Sequence, residues 1–289
     1  MSYKYNLVLC VCIKNEAKYM NEFLQHYIKQ GVEHFYIINN NSTDDILNIL
    51  ENYKDIITLF EDNRDLQMYS SFQGKDFQKQ IYDDYFYSII IKDAKWAIVV
   101  DVDEFMYGKN GYTIKSYLET VSDDISCIYV IWNLFLPCKN ADDTITEHFT
   151  IYQNNKRLNL DLIKELHFCI NNLSNFGKSI IRTSSLTPEN KIWIHRQAVN
   201  GKTMTNYGQI NDTILYDNFN TQEISEECFS KVKITLNHYP VRDLDDYNKR
   251  LSHLQYENKF VFTNALKLMI LYYMIILILK KYQKKLLIK

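Results

Sequence analysis

The sequence predicts an α/β protein in which a mostly parallel central sheet is flanked by helices and followed by an irregular second half with C-terminal helices. Three observations carry this expectation. Short apolar runs rich in β-branched residues alternate with helix-period segments between residues 7 and 100. Two of those runs, Leu7 to Ile13 (LVLCVCI) and Trp96 to Val100 (WAIVV), lack polar alternation, as strands buried on both faces do. After about residue 110 the rhythm changes to strands separated by longer polar loops.

Taken in order, Leu7 to Ile13 reads as the first strand. Ala17 to Gln30 carries Tyr19, Met20, Phe23, Leu24, Tyr27 and Ile28 at helical spacing, and Gly31 supplies a stop. His34 to Ile38 is a second strand, and the asparagine-rich Asn39 to Ser42 turns the chain. Ser42 or Thr43 can cap a helix over Ile46 to Asn52. Ile56 to Phe60 is a third strand. Phe77 to Ile91 is a helix with Ile81, Tyr82, Tyr85, Phe86, Ile89 and Ile90 inward, and Trp96 to Val100 is a fourth strand. Beyond it, strands are expected at Ile125 to Leu136, Ile145 to Tyr152, Ser179 to Arg182, Ile192 to His195 and Ile234 to Tyr239. No internal repeat is visible.

Composition narrows the function classes. Hydrophobic residues make up 46% and charged residues 24% of the 289, enough to bury a sizeable core. Lys plus Arg number 33 against 35 Asp plus Glu, so the basic surplus of a nucleic-acid binder is missing and no nucleic-acid partner is expected. Six scattered cysteines with no CxxC pair read as reduced, mostly buried thiols. Met1 to Asn6 leads straight into a strand without a basic region and an apolar run of signal-peptide length. A cytoplasmic protein is the expectation.

The chemistry concentrates in WAIVVDVDEFM, Trp96 to Met106. Open α/β sheets bind ligands at the carboxyl ends of their strands, and the acids stand where this strand ends. On an extended chain Asp101 and Asp103 share a face and can converge on one ion, with Glu104 opposite them to orient Asp101 or a backbone amide. Carboxylate oxygens suit Mn²⁺ or Mg²⁺, whose other positions water and diphosphate oxygens fill. Three successive acids at the end of a buried strand are costly unless something pairs with them. Isolated Asp-x-Asp pairs also occur in solvated turns.

The order of the motifs resembles glycosyltransferase family 92 and the neighbouring family-2-like bacterial glycosyltransferases. The elements are Ile13-Lys14-Asn15-Glu16, Tyr36 to Asp44 (YIINNNSTD), Gln80 to Asp84 and Asp101-Val102-Asp103-Glu104-Phe105. Further on stand Lys178-Ser179-Ile180-Ile181-Arg182, His195-Arg196 and Asn237-His238-Tyr239. The resemblance runs from about residue 7 to about residue 250. It implies a GT-A type fold with a Rossmann-like sheet: a nucleotide-binding part over about 1–110 and an acceptor part over about 111–259. It also implies transfer of a sugar, hexosyl by preference, from a nucleotide-sugar donor, a UDP-sugar above others, to a glycan or lipid-linked acceptor. Asn39 stands where the family usually has Asp, and Trp132 to Leu136 lacks the family's glycine.

Under this resemblance Asp101, Asp103 and His238 are the metal ligands. Asn15, Glu16, Asn40, Asp44, Gln80, Asp101, Lys178, Arg182 and His195 are donor contacts. Read from the residues alone, Asn15 and Asp44 cap helices equally well, and a histidine beside a strand is commonly structural. Inverting transfer needs a carboxylate base on the face away from the leaving diphosphate. Glu147 is the first choice, with Asp142, Asp143 and Glu165 behind it.

The C-terminal segment 260–289 holds twelve unbroken apolar residues, Leu268 to Leu279, followed by Lys280-Lys281-Tyr282-Gln283-Lys284-Lys285. A spanning helix needs about 20 apolar residues, so a helix docked on the domain or lying at the cytoplasmic face of a membrane is expected before a span. Two rival readings remain open: a metal-dependent nucleotidyltransferase or phosphohydrolase, and a non-catalytic sugar- or membrane-binding protein. The triphosphate-binding glycine loop that the first would bring is absent from the sequence.

Overall fold

The computed structural model describes residues 3–64, 77–134, 177–208 apart from 194 and 196, 210–211, 232–239 and 242. The chain divides into two compact units, Met1–Leu134 with Asn175–His238, and Phe135–Ser174 with Tyr239–Lys289. Every element named below belongs to the first.

Strand β1 (Tyr5–Ile13) is followed by α1 (Ala17–Lys29), β2 (His34–Asn39), α2 (Ile46–Glu51) and β3 (Ile57–Glu61). A helical run then comprises α3 (Phe77–Tyr82), a π-helical turn (Asp83–Tyr87) and α4 (Ser88–Asp93), and it feeds β4 (Ala94–Val99). After the acidic turn come β5 (Glu104–Gly108), α5 (Ile114–Leu118) and β6 (Ile125–Leu134). The later strands are β7 (Gly177–Arg182), β8 (Lys202–Thr205), β9 (Ile210–Asn211) and β10 (Ile234–His238).

The strand order β3-β2-β1-β4-β7-β6-β10-β5 separates two regimes. The first four strands pair in parallel, and all carry their C-terminal ends to one edge. Beyond β4 the sheet is mixed. β7 runs antiparallel to β4 and β6, β10 runs parallel to β6, and β5 returns antiparallel on the outside of β10. Parallel strands need crossover helices, and helical crossovers cover the sheet's faces, which is why β1, β2 and β4 tolerate unbroken apolar sequence. On one face Ile81, Tyr82, Phe86 and Ile90 of the 77–93 helical run pack on Val8, Cys10, Tyr36, Ile38 and Val99. α1 buries Met20, Phe23, Leu24 and Tyr27. Each such side chain contributes about 1.5–3 kcal/mol of burial.

Two expectations change, and one strand is added. Ile192 to His195 was read as a strand, yet Ile192, Trp193 and His195 lie in irregular backbone. Their main chain is satisfied by side chains instead: Ile192 N–H donates to Asp83 Oδ1, Trp193 N–H to Gln197 Oε1, and the His195 carbonyl accepts from Ser179 Oγ. β5 had no sequence signal, because EFMYG is too short to show a period. Asp101 to Glu104 is a turn rather than an extended run: Glu104 N–H donates to the Asp101 carbonyl at 3.1 Å. Ile145 to Tyr152 and the C-terminal segment lie outside the described residues.

Candidate active site

The acidic turn joins β4, in the middle of the sheet, to β5, at its margin. α1 fixes its far side. Tyr27 Oη donates to the Glu104 carbonyl at 2.8 Å and accepts the Met106 N–H at 3.0 Å, while His26 Nε2 lies 2.8 Å from the Met106 carbonyl. The turn is also closed from within, since Glu104 Oε2 accepts the Asp101 N–H at 2.9 Å. A sequence expectation is met here: Glu104 orients a backbone amide of Asp101.

A triad and a pair of side chains meet at this turn. Asp101 Oδ2 accepts from Lys178 Nζ at 2.7 Å, and Glu104 Oε2 lies 3.3 Å from the same ammonium. Lys178 and Glu104 have no exposed side-chain surface, whereas Asp101 is 39% exposed. The lysine reaches the turn because β7 pairs with β4 through Ile98 and Ile180, which sets residue 178 beside the end of β4. In the pair, His238 Nε2 stands 3.6 Å from Asp103 Oδ1. The β10–β5 ladder sets this up by placing His238 opposite Glu104.

Burial and charge compete at every group. Burial pushes the Glu104 carboxyl up to about 7, although Lys178 works against the rise. Burial likewise opposes the charge on Lys178, but Asp101 and Glu104 together hold its ammonium above the ordinary range. For His238, burial disfavours protonation, and the adjacent Asp103 carboxylate outweighs it and raises the imidazole. His195 goes the other way: burial first and Lys178 second lower it to about 4. Its Nδ1 lies 3.3 Å from the Gly177 carbonyl.

The expected donor contacts divide by position. Asn15 sits just past β1 with a left-handed φ of 57°, a region that asparagine enters more readily than most residues. Its Oδ1 accepts the Thr43 N–H at 2.7 Å, its own N–H donates to Ser42 Oγ, and Asp44 Oδ2 accepts the Ala17 N–H at the start of α1. The loops after β1 and β2 are therefore stitched together at the same edge as the carboxylates. Glu16 precedes α1 as its N-cap residue, and its side chain makes no cap hydrogen bond. Asn40 is buried, donating through Nδ2 to the carbonyls of Asp62 and Arg64, and its Oδ1 has no hydrogen-bond partner among the described residues. Gln80 is an exposed residue of α3. Glu147, Asp142, Asp143 and Glu165 lie outside the described residues.

Arg182 is not brought to this edge. The β4–β7 register pairs it with Trp96, at the opposite end of the strand. There it donates to the carbonyls of Ile125 and Ser122 and stacks 4.3 Å over the Trp96 ring. Its i+4 spacing from Lys178 on a strand, about 13 Å at 3.3 Å per residue, already separates the two. Lys178, expected as a donor contact, is paired with carboxylates instead. Asp62 and Arg64, which the sequence analysis did not single out, follow β3 at the same edge and pair at 2.5 Å. The signal was available: β3 runs out into Glu61-Asp62-Asn63-Arg64 as β4 runs out into the acidic turn. A cavity of about 380 Å³ lined by Tyr117, Ile125, Met204 and Lys233 lies at the starts of β6 and β10, away from these groups.

Among the described residues no group of three or more His, Cys, Asp or Glu side chains stands ready to hold a metal ion. The donor chemistry nonetheless fits a hard divalent cation. Ions of this kind keep ligand distances near ~2.1 Å, so two ligands of one ion stand roughly 3–4 Å apart, and they take one or two carboxylates plus substrate phosphates in place of an all-protein cage. Asp103 and His238 at 3.6 Å meet that spacing, and the part-exposed Asp101 stands in the same turn.

The glycosyltransferase family 92 model matches residues 5–254. The chain belongs to glycosyltransferase family 92. Four parallel strands in the order β3-β2-β1-β4, ending at the acidic turn, are the GT-A arrangement that family membership leads one to expect. No curated protein sequence matches the chain. Among solved structures, S. aureus TarS 1–349 in complex with UDP is similar at a TM-score of 0.36 and 15% identity, covering 62% of this chain and 47% of that one. Glucosyl-3-phosphoglycerate synthase from Mycobacterium tuberculosis, in complex with Mn²⁺, UDP and glucosyl-3-phosphoglycerate, is similar at a TM-score of 0.31 and 12% identity, covering 63% and 59%. The family 92 chain thus spans less than two thirds of either solved protein, and at these TM-scores nothing about its own ligands follows from theirs.

Proposed function

We propose that this family 92 chain transfers a sugar, hexosyl by preference, from a nucleoside-diphosphate donor, a UDP-sugar above others, to a hydroxyl of a glycan or lipid-linked acceptor. The observation that supports the reading most is the meeting of Asp103 and His238 at the carboxyl edge of the parallel strands, beside Asp101. That edge is where open α/β sheets hold nucleotides. Asp103, His238 and the free oxygen of Asp101 would hold Mn²⁺ or Mg²⁺, which as a Lewis acid offsets charge on the departing diphosphate.

The remaining roles fall to this chain's own groups. Asn15, Glu16, Asn40 and Asp44, in the stitched loops after β1 and β2, shape the nucleoside side of the cleft, and Gln80 and His195 extend it. Glu147 takes the proton of the acceptor hydroxyl as that oxygen attacks the anomeric carbon from the face opposite the diphosphate, so the configuration inverts. The C-terminal segment, with its apolar run and lysines, would bring the enzyme to the cytoplasmic face of a membrane carrying its acceptor.

A panel of nucleotide sugars tests this, read by calorimetry for Mn²⁺-dependent binding and by chromatography for slow donor hydrolysis. One UDP-sugar should bind and turn over only with the metal present. Binding of every donor at equal strength with and without Mn²⁺ would remove the metal from the mechanism. Hydrolysis of nucleoside triphosphates in preference to sugar nucleotides would favour the phosphohydrolase reading.

A further inference from the structure

We infer that Lys178 is a positioning residue: a resident counter-cation that holds Asp101 and Glu104 in their turn before any divalent ion or donor arrives. This rests on the proposed metal-dependent reading only for what the positioned Asp101 then does. The resemblance implied a donor contact for this lysine, and its setting opposes that, because Lys178 has no exposed surface and its ammonium lies between two carboxylates.

The turn shows why a fixed cation is required. Asp101, Asp103 and Glu104 lie within four consecutive residues, and Glu104 is wholly buried. Without a positive partner, a buried carboxylate beside two others would either lose its charge or push the turn open. Asp103 faces His238, so the demand falls on Asp101 and Glu104. A single ammonium at 2.7 Å from one and 3.3 Å from the other serves both. Glu104 Oε2 takes the Asp101 N–H in addition, so a charge that steadies Glu104 steadies the Asp101 backbone as well. Lys178 arrives on β7, a strand bonded on both sides, and so it cannot swing out as a surface lysine would. Held in this way, Asp101 keeps one oxygen on the lysine while its side chain stays 39% exposed at the edge of the sheet.

Two full-length variants, Lys178→Met and Lys178→Met with Glu104→Gln, test the inference by thermal unfolding in EDTA and by Mn²⁺ binding followed with electron paramagnetic resonance. Lys178→Met should lower the metal-free midpoint by about 5–10 °C, the usual consequence of leaving a buried charge alone in a chain of this size. Adding Glu104→Gln removes the abandoned charge and should recover at least half of that loss. Lys178→Met should weaken Mn²⁺ binding about tenfold or more, because Asp101 is no longer held. If Lys178→Met does not fold, folding of the double variant alone sustains the inference. Failure of both variants, or equal midpoints for both, overturns it, since packing and not charge would then explain the lysine. Unchanged Mn²⁺ binding together with lost UDP binding in Lys178→Met would also overturn it and return the residue to the phosphate. A wild-type chain that binds no Mn²⁺ would defeat the metal reading, while the recovery by Glu104→Gln would still decide the lysine's role.

Discussion

Individual side chains at the acidic turn carry consequences that their neighbours do not share. Asp103→Asn should leave the fold intact and weaken Mn²⁺-dependent UDP binding at least tenfold by calorimetry, because it removes the carboxylate charge that stands 3.6 Å from His238 at the proposed metal site. Arg182→Ala should do the reverse. It removes the donors to the Ile125 and Ser122 carbonyls and the stacking on Trp96, at a cost of about 2–4 kcal/mol in chemical denaturation. UDP affinity in that variant should stay within twofold of the parent. The contrast between these residues was only half legible in the sequence. Asp-x-Asp at the end of a buried strand announces itself, since composition and position agree. Lys178 and Arg182 look alike in a run of letters, and what separates them is the register of β7 against β4, a property of two strands at once.

At the scale of elements, α1 and β7 fix the geometry that the turn cannot hold alone. α1 grips β5 through Tyr27 and His26, and burial lowers the pKa of His26 below its ordinary 6.5 despite the Met106 carbonyl beside it. The unfolded chain therefore binds this proton more readily than the folded one. Its contribution to stability is fully present above pH 6.5 and declines as pH falls toward the lowered folded value. Denaturant midpoints measured between pH 7.5 and 5 should fall less steeply for His26→Gln than for the parent. β7 starts at Gly177, where an added Cβ would stand 2.1 Å from the Val130 carbonyl oxygen of β6. Gly177→Ala should thus force the two strands apart and cost about 1–3 kcal/mol or more. It should also weaken Mn²⁺-dependent UDP binding, because Lys178 is the next residue. Neither role could be read from sequence. β5 is too short to carry a period, and a glycine's close neighbour is visible only in space.

Across the whole molecule, the parallel half was legible because its strands and helices are long enough to show their periods and follow one another in order. The mixed half was not, since β7, β8 and β10 join partners far away in sequence and their loops satisfy backbone groups with side chains, as at Ile192 and Trp193. Ligand that binds only the folded state should stabilise this assembly by mass action, by about 2.7 kcal/mol at a hundredfold excess over its dissociation constant. UDP with Mn²⁺ should accordingly raise the unfolding midpoint of the parent by several degrees and leave Asp103→Asn unmoved. One more consequence concerns the order in which the chain is made. Asp101 and the lysine that balances it are 77 residues apart, and β7 inserts between β4 and β6 after both have been synthesised. At ~5–20 residues per second a nascent chain carries Asp101 and Glu104 without their counter-charge for roughly 4–15 s. The centre of the sheet closes only when β7 emerges, so a ribosome-bound chain halted before residue 177 holds the whole parallel half and an acidic turn that still lacks its lysine.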